Sequence, residues 1–184
     1  LGSLGTENAN KIINAQGLSV SPGFIDLHAH LEPIFSLSNC ESHLRQGVTT
    51  SLGGPDGNSP LPFGAYLDSL QKLGVGMNVG FLVGHNSVRK KIMNLDNRAP
   101  TTKELNKMKG IVAQAMNEGA FGISTGLKYL PGSFSEVDEI IALSKEASKK
   151  GGIYTSHLRD EGLEVLASID EAIKISEKAD ITVI

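Results

Sequence analysis

The chain has 184 residues, 40% of them apolar, a formal net charge of −3 and a single cysteine. That length can bury a real single-domain core, while the charge argues against a nucleic-acid partner and one cysteine excludes an internal disulfide. No apolar run approaches the ~20 residues needed to span a bilayer and no signal-peptide pattern opens the chain, so no membrane partner is expected and the cytoplasm is the expected location.

Residues 1–20 are polar and glycine-punctuated, start without an initiator Met, and read as the middle of a longer protein. Within them Lys11–Ala15 and Leu18–Val20 are expected to form short strands of a small β element. Pro22-Gly23 then turns the chain into Phe24–His30, read as a strand. Alternation along a strand puts Phe24, Asp26, His28 and His30 on one face, and Ile25, Leu27 and Ala29 on the other. Two imidazoles so placed can aim at one metal ion; a hydrogen-bonded histidine pair is the plainer alternative.

Leu37–Gln46 is expected to be a helix closed by Gly47, with Cys40 as a small buried residue on it. Val48–Leu52 is β-branched and reads as a strand, running into the turn-rich loop Gly53–Pro60, which contains Asp56. A helix over Phe63–Leu73 precedes a strand over Asn78–Val83, which ends in Gly84-His85-Asn86. Thr101 or Thr102 caps a helix reaching Asn117. The strand Phe121–Thr125 leads into a loop with Lys128 and Tyr129. Ser135 is the expected cap of a helix to Lys149, and Ile153–Leu158 is a strand with His157 near its end. In the helix Leu163–Lys178, the residues Leu163, Leu166, Ile169, Ala172, Ile173 and Ser176 recur every three to four positions as its packing face. Ile181–Ile184 begins one more strand.

Strands alternating with helices signal a parallel sheet. Neither G-x-G-x-x-G nor a P-loop is present, and the polar residues gather at strand C-terminal ends: His28, His30, Asp56, His85, Tyr129 and His157. That distribution favours a TIM-type (β/α)8 barrel, whose chemistry is built from those ends. About six strands cannot close such a barrel, so residues 21–184 are expected to be its incomplete N-terminal part, finished by a missing C-terminal half of the same chain.

As a set, Pro22–His30, Gly47-Val48-Thr49-Thr50, Gly119–Gly132 and Gly152–Glu161 resemble the amidohydrolase superfamily, in particular its N-acyl-D-amino-acid deacylase (D-aminoacylase) branch. The resemblance implies a distorted barrel beside a small β-sandwich, of which residues 1–20 would be a remnant. It also implies zinc-dependent hydrolysis of N-acyl amides, with one or two ions and a small N-acyl amino acid as substrate. His28 and His30 match the first-strand ligand pair, and His157 matches the fifth-strand ligand of the tightly held zinc. Tyr129 matches a tyrosine that binds substrate or polarises the scissile carbonyl. His85 matches a Gly-His landmark, structural or catalytic, and Arg159 lies in the matched stretch after His157 as a substrate or supporting residue. Asp26 is expected to orient a histidine.

One position departs from the branch. Where it carries a cysteine ligand after strand two, this chain has Asp56, which can bind zinc as a harder ligand than thiolate or simply satisfy a turn. Cys40 falls too early to substitute, and Lys128 falls too late for a carboxylated-lysine ligand. The implied mechanism is metal-assisted attack of water on the amide carbonyl, with a histidine ligand and an aspartate general base expected beyond Ile184. A cyclic-amide hydrolase of dihydroorotase or hydantoinase type, or a dipeptidase, is the alternative on the same barrel. A metal-less, non-catalytic barrel or inactive fragment is the third reading.

Overall fold

A computed structural model describes residues 10–184 of the chain. Its strands are β1 (Phe24–Asp26), β2 (Val48–Gly53), β3 (Asn78–Phe81), β4 (Val83–Gly84), β5 (Gly122–Gly126), β6 (Ile153–His157) and β7 (Thr182–Val183). The helices are α1 (Glu41–Leu44), α2 (Phe63–Leu73), α3 (His85–Met93), α4 (Thr102–Asn117), α5 (Val137–Ser148) and α6 (Val165–Ala179). Every pairing is parallel, in the orders β1-β2-β3 and β4-β5-β6-β7. Only Leu82 separates β3 from β4. Its N–H donates to Gly53 O, and Phe121 N–H donates to Phe81 O, both at 2.9 Å. The expected strand Asn78–Val83 is thus one position in the sheet with a break in it, leaning on β2 first and β5 afterwards. Sheet order follows chain order throughout, as in barrels, without the reversal of a doubly wound sheet.

The core lies between the sheet and the helices α3 to α6. Val88, Met108, Val112, Ile123, Ile140, Leu143, Ala147, Tyr154 and Ile175 are all fully buried there; full burial of a large aliphatic side chain contributes about 1.5–3 kcal/mol. On β6, Tyr154 packs outward under the helices while Ile153, Thr155 and His157 stay half-buried on the other face, as strand alternation requires.

Helix α4 starts on a reciprocal cap. Thr101 Oγ1 accepts Glu104 N–H at 3.3 Å, and Thr101 N–H donates to Glu104 Oε2 at 2.8 Å. Thr101→Ala removes one half of that box and is expected to lower stability by about 1 kcal/mol. Urea unfolding checks this, and an unchanged midpoint would show the cap to be idle.

Several expectations are corrected. Lys11–Ala15 and Leu18–Val20 form no strands: Ile12, Ile13, Leu18 and Val20 are exposed, and no strand pairs with them among the described residues. The strand Phe24–His30 stops at Asp26 and the chain bends at Leu27-His28. Of its apolar face only Ala29 is buried, since β1 is a sheet edge and Ile25 and Leu27 are 65% and 48% exposed. The helix expected over Leu37–Gln46 shrinks to α1, because Cys40, buried as expected, adopts the left-handed conformation (φ 51°) that ends helical continuation. Ser135 does not cap α5; its hydroxyl donates to Gly132 O instead. Helix α3 was not expected at all. Helix α6 carries two apolar stripes: Ala172, Ile175 and Ala179 face the sheet, whereas Leu166, Ile169 and Ile173 remain 74%, 41% and 46% exposed. No helix among the described residues is long and apolar enough to cross a membrane.

Candidate metal centre

The centre forms where β1, β2, β5 and β6 end. His28 lies in the bend after β1, whose entry is fixed by Asp26: its Oδ1 accepts His28 N–H at 3.0 Å. Asp26 therefore acts on the backbone of His28, not on its ring. Ala29 N–H then donates to Leu52 O at 3.0 Å, tying the segment to β2. The bend brings His28 and His30 side by side, with ring centroids 5.7 Å apart.

Asp56 closes this pair from the tip of the loop after β2. It takes a left-handed backbone (φ 55°), flanked by Gly54 and Gly57, also at positive φ; Asp is among the few residues that tolerate this. Ser124 on β5 clamps the turn, donating to Gly54 O at 2.6 Å and accepting Gly57 N–H at 3.1 Å. Asp56 Oδ2 lies 3.5 Å from His28 Nε2 and 3.2 Å from His30 Nε2, and its Oδ1 lies 3.7 Å from His157 Nδ1. His157 ends β6, level with Gly126 of β5. Tyr129 OH approaches the same His157 Nδ1 at 3.3 Å, the two rings 4.6 Å apart.

These distances suit a metal ion. Two ligands about 2.0–2.2 Å from an ion at a tetrahedral angle sit about 3.4 Å from each other, and His28, His30 and Asp56 bring three ligand atoms within 4.8 Å of one another. Asp56 is 8% exposed, and its Oδ1 is buried with no hydrogen-bond partner. A buried carboxylate oxygen without a donor is costly. The turn alternative for Asp56 would place its own carboxylate on backbone N–H groups, which it does not contact. The histidines are open to solvent, with His28 and His30 side chains 58% exposed.

The other candidates are placed away from the cluster. His85, wholly buried at the start of α3, has Nε2 2.8 Å from Glu139 Oε1 and Nδ1 3.3 Å from Asn86 Oδ1. Arg159 donates through Nε and Nη2 to both carboxylate oxygens of Glu171, and also to Ser133 O and Ser135 O. It staples the loop after β5 to α6, and its hydrogen bonds to the Glu171 carboxylate raise its pKa further. Lys128 points to Asp160 at 4.0 Å, outside the cluster. Ser124, Asn86 and Glu139 were not expected at the site; Asn86 stands beside His85 in the Gly-His landmark and Ser124 lies within Gly119–Gly132, whereas Glu139 lies in no matched stretch.

A model of the amidohydrolase family matches residues 11–182. The D-aminoacylase of Alcaligenes xylosoxydans xylosoxydans is 33% identical over all of this chain, which spans 43% of that relative. A solved D-aminoacylase described with a binuclear metal centre superposes with a TM-score of 0.82 at 30% identity, over 88% of this chain and 39% of that one. The N-acyl-D-glutamate deacylase of Bordetella bronchiseptica, solved with zinc and a phosphonate inhibitor mimicking the tetrahedral intermediate, superposes with a TM-score of 0.83. It is 31% identical, over the same shares of the two chains.

Proposed function

The chain belongs to the amidohydrolase family, and from that premise we propose that its protein is a zinc-dependent deacylase of N-acyl-D-amino acids. One observation carries the reading: the buried carboxylate of Asp56, its Oδ1 without a hydrogen-bond donor, lies between the histidine pair and His157, with the Tyr129 hydroxyl nearby. His28, His30 and Asp56 would hold one zinc ion, and Asp56 with His157 would offer ligands for a second. When bound, zinc supplies an acidified water and an electrophile for the amide carbonyl. The residues of this chain do the rest of what they can reach. Asp56 neutralises charge in the centre. Tyr129, 44% exposed, points its hydroxyl into the cluster, where it donates to the carbonyl oxygen as negative charge develops. Asp26 keeps His28 in register through its backbone.

The chain spans 39–43% of the relatives described above. The general base, a further histidine ligand and the loops that choose the acyl group and side chain are therefore assigned to the rest of the protein. On the same reading residues 21–184 belong to a (β/α)8 barrel closed by further strands.

The test is to load the full-length protein with zinc and compare N-acyl-D-amino acids, their L-isomers and cyclic ureides as substrates. Hydrolysis of the D-isomers is expected. Turnover of cyclic ureides alone would replace the deacylase with a cyclic-amide hydrolase, and failure to retain metal after dialysis would point to a barrel that has lost its catalysis.

A further inference from the structure

We infer that Asn86 is a positioning residue that sets the distance between Asp56 and the Tyr129–His157 pair; the inference rests on the metal centre proposed above. Asn86 is 1% exposed at the start of α3 and touches none of the candidate ligands. Its side chain forms a two-way bond with the backbone of Gly126: Nδ2 donates to Gly126 O at 3.0 Å, and Oδ1 accepts Gly126 N–H at 3.3 Å. Gly126 is the last residue of β5, directly opposite His157, and its carbonyl also accepts the N–H of Tyr129 at 3.1 Å. One amide thus fixes the strand end on which both His157 and Tyr129 depend.

The same side chain fixes Asp56. A Cβ on Gly57 would collide with Asn86 Oδ1 and with Gly126 N, so this glycine packs directly against both. The following residue of α3, Ser87, donates its N–H to Gly57 O at 3.1 Å, and its hydroxyl accepts Ser59 N–H at 2.9 Å. Asn86 therefore lies between the residue after Asp56 and the residue paired with His157. Its position is itself held, because Glu139 grips His85 and Arg89 on the buried side of the helix. A hydroxyl carries its donor and acceptor on one oxygen and cannot meet both Gly126 groups side by side; aspartate could only accept, and alanine removes both contacts.

The experiment is a cobalt(II) titration of the full-length protein, read by affinity and by the visible absorption of the bound ion. It compares wild type, Asn86→Ala and Asn86→Asp, each with and without Asp56→Asn. Loss of a residue that orients metal ligands costs about 10–100-fold in affinity, so both Asn86 variants are expected to lose that much and to shift the cobalt bands. With Asp56→Asn in place, the further effect of Asn86→Ala should shrink to within about twofold, because the oriented ligand is gone. Wild-type affinity and spectrum in either folded Asn86 variant would overturn the inference, as would an equal loss in both backgrounds. If Asn86→Ala fails to fold, Asn86→Ser is read by the same criteria. A wild type that binds no cobalt overturns the metal centre itself, which is a different result.

Discussion

Asp56→Asn is expected to weaken metal binding by more than about 100-fold while leaving the fold intact. The substitution keeps the shape of the side chain and tolerates the left-handed backbone at φ 55°, so the loop should not rearrange. What disappears is charge. The carboxylate facing His28 and His30 at 3.5 and 3.2 Å becomes a neutral amide, a poor ligand for a divalent ion. Residues that merely orient ligands cost about 10–100-fold in affinity, so removal of a direct ligand should exceed about 100-fold, and amide hydrolysis by the full-length protein should fall with it. Metal-free, Asp56→Asn should be no less stable than the wild type, because it removes a buried charge whose Oδ1 has no donor. Metal should stabilise the wild type only. Thermal unfolding with and without zinc reads both effects, and equal stabilisation of the two would show that Asp56 is not a ligand.

Glu139→Gln is expected to have the largest effect on stability. Glu139 lies 4% exposed under α3, its oxygens shared between His85 and the fully buried Arg89. Arg89 also donates to Asp96 O and Arg98 O at 3.1 and 2.7 Å, so it cannot follow a retreating charge. Removing one partner of a buried ion pair strands the other, which costs about 3–5 kcal/mol. Burial pushes the Glu139 carboxyl up, but hydrogen bonds and charge from His85 and Arg89 outweigh it, and its pKa lies below the ordinary 4.5. A depressed carboxylate adds stability above its unfolded pKa and loses it as pH falls through the folded one. The wild type should therefore lose stability as the medium is acidified below about pH 4.5, and Glu139→Gln should lack that component. Urea midpoints at neutral and acidic pH measure the difference, and parallel profiles would exclude Glu139 as its source.

The H-x-H pair and the strand-end placement of Tyr129 and His157 were legible because they follow from local spacing and from the βα rhythm. The reason His28 and His30 converge was not. They share no strand face; the chain bends after Asp26, whose carboxylate holds the His28 amide. Helix α3 stayed hidden because its buried side carries His85, Asn86 and Arg89, which reads as polar surface until Glu139, far along the chain, is placed beside it. The exposed stripe of α6 misled for the opposite reason. Leu166, Ile169 and Ile173 have the period of a packing face, but of the expected face Ala172 alone joins Ile175 and Ala179 on the sheet side. Period alone does not choose between two apolar stripes.

Anomalous diffraction at the zinc edge from crystals of the full-length protein would locate the ion. A peak is expected bonded to the ring nitrogens of His28 and His30 and to Asp56 Oδ2, at the usual zinc distances of about 2.0–2.2 Å. Zinc bound without Asp56, or no zinc between these three residues, would contradict this ligand set.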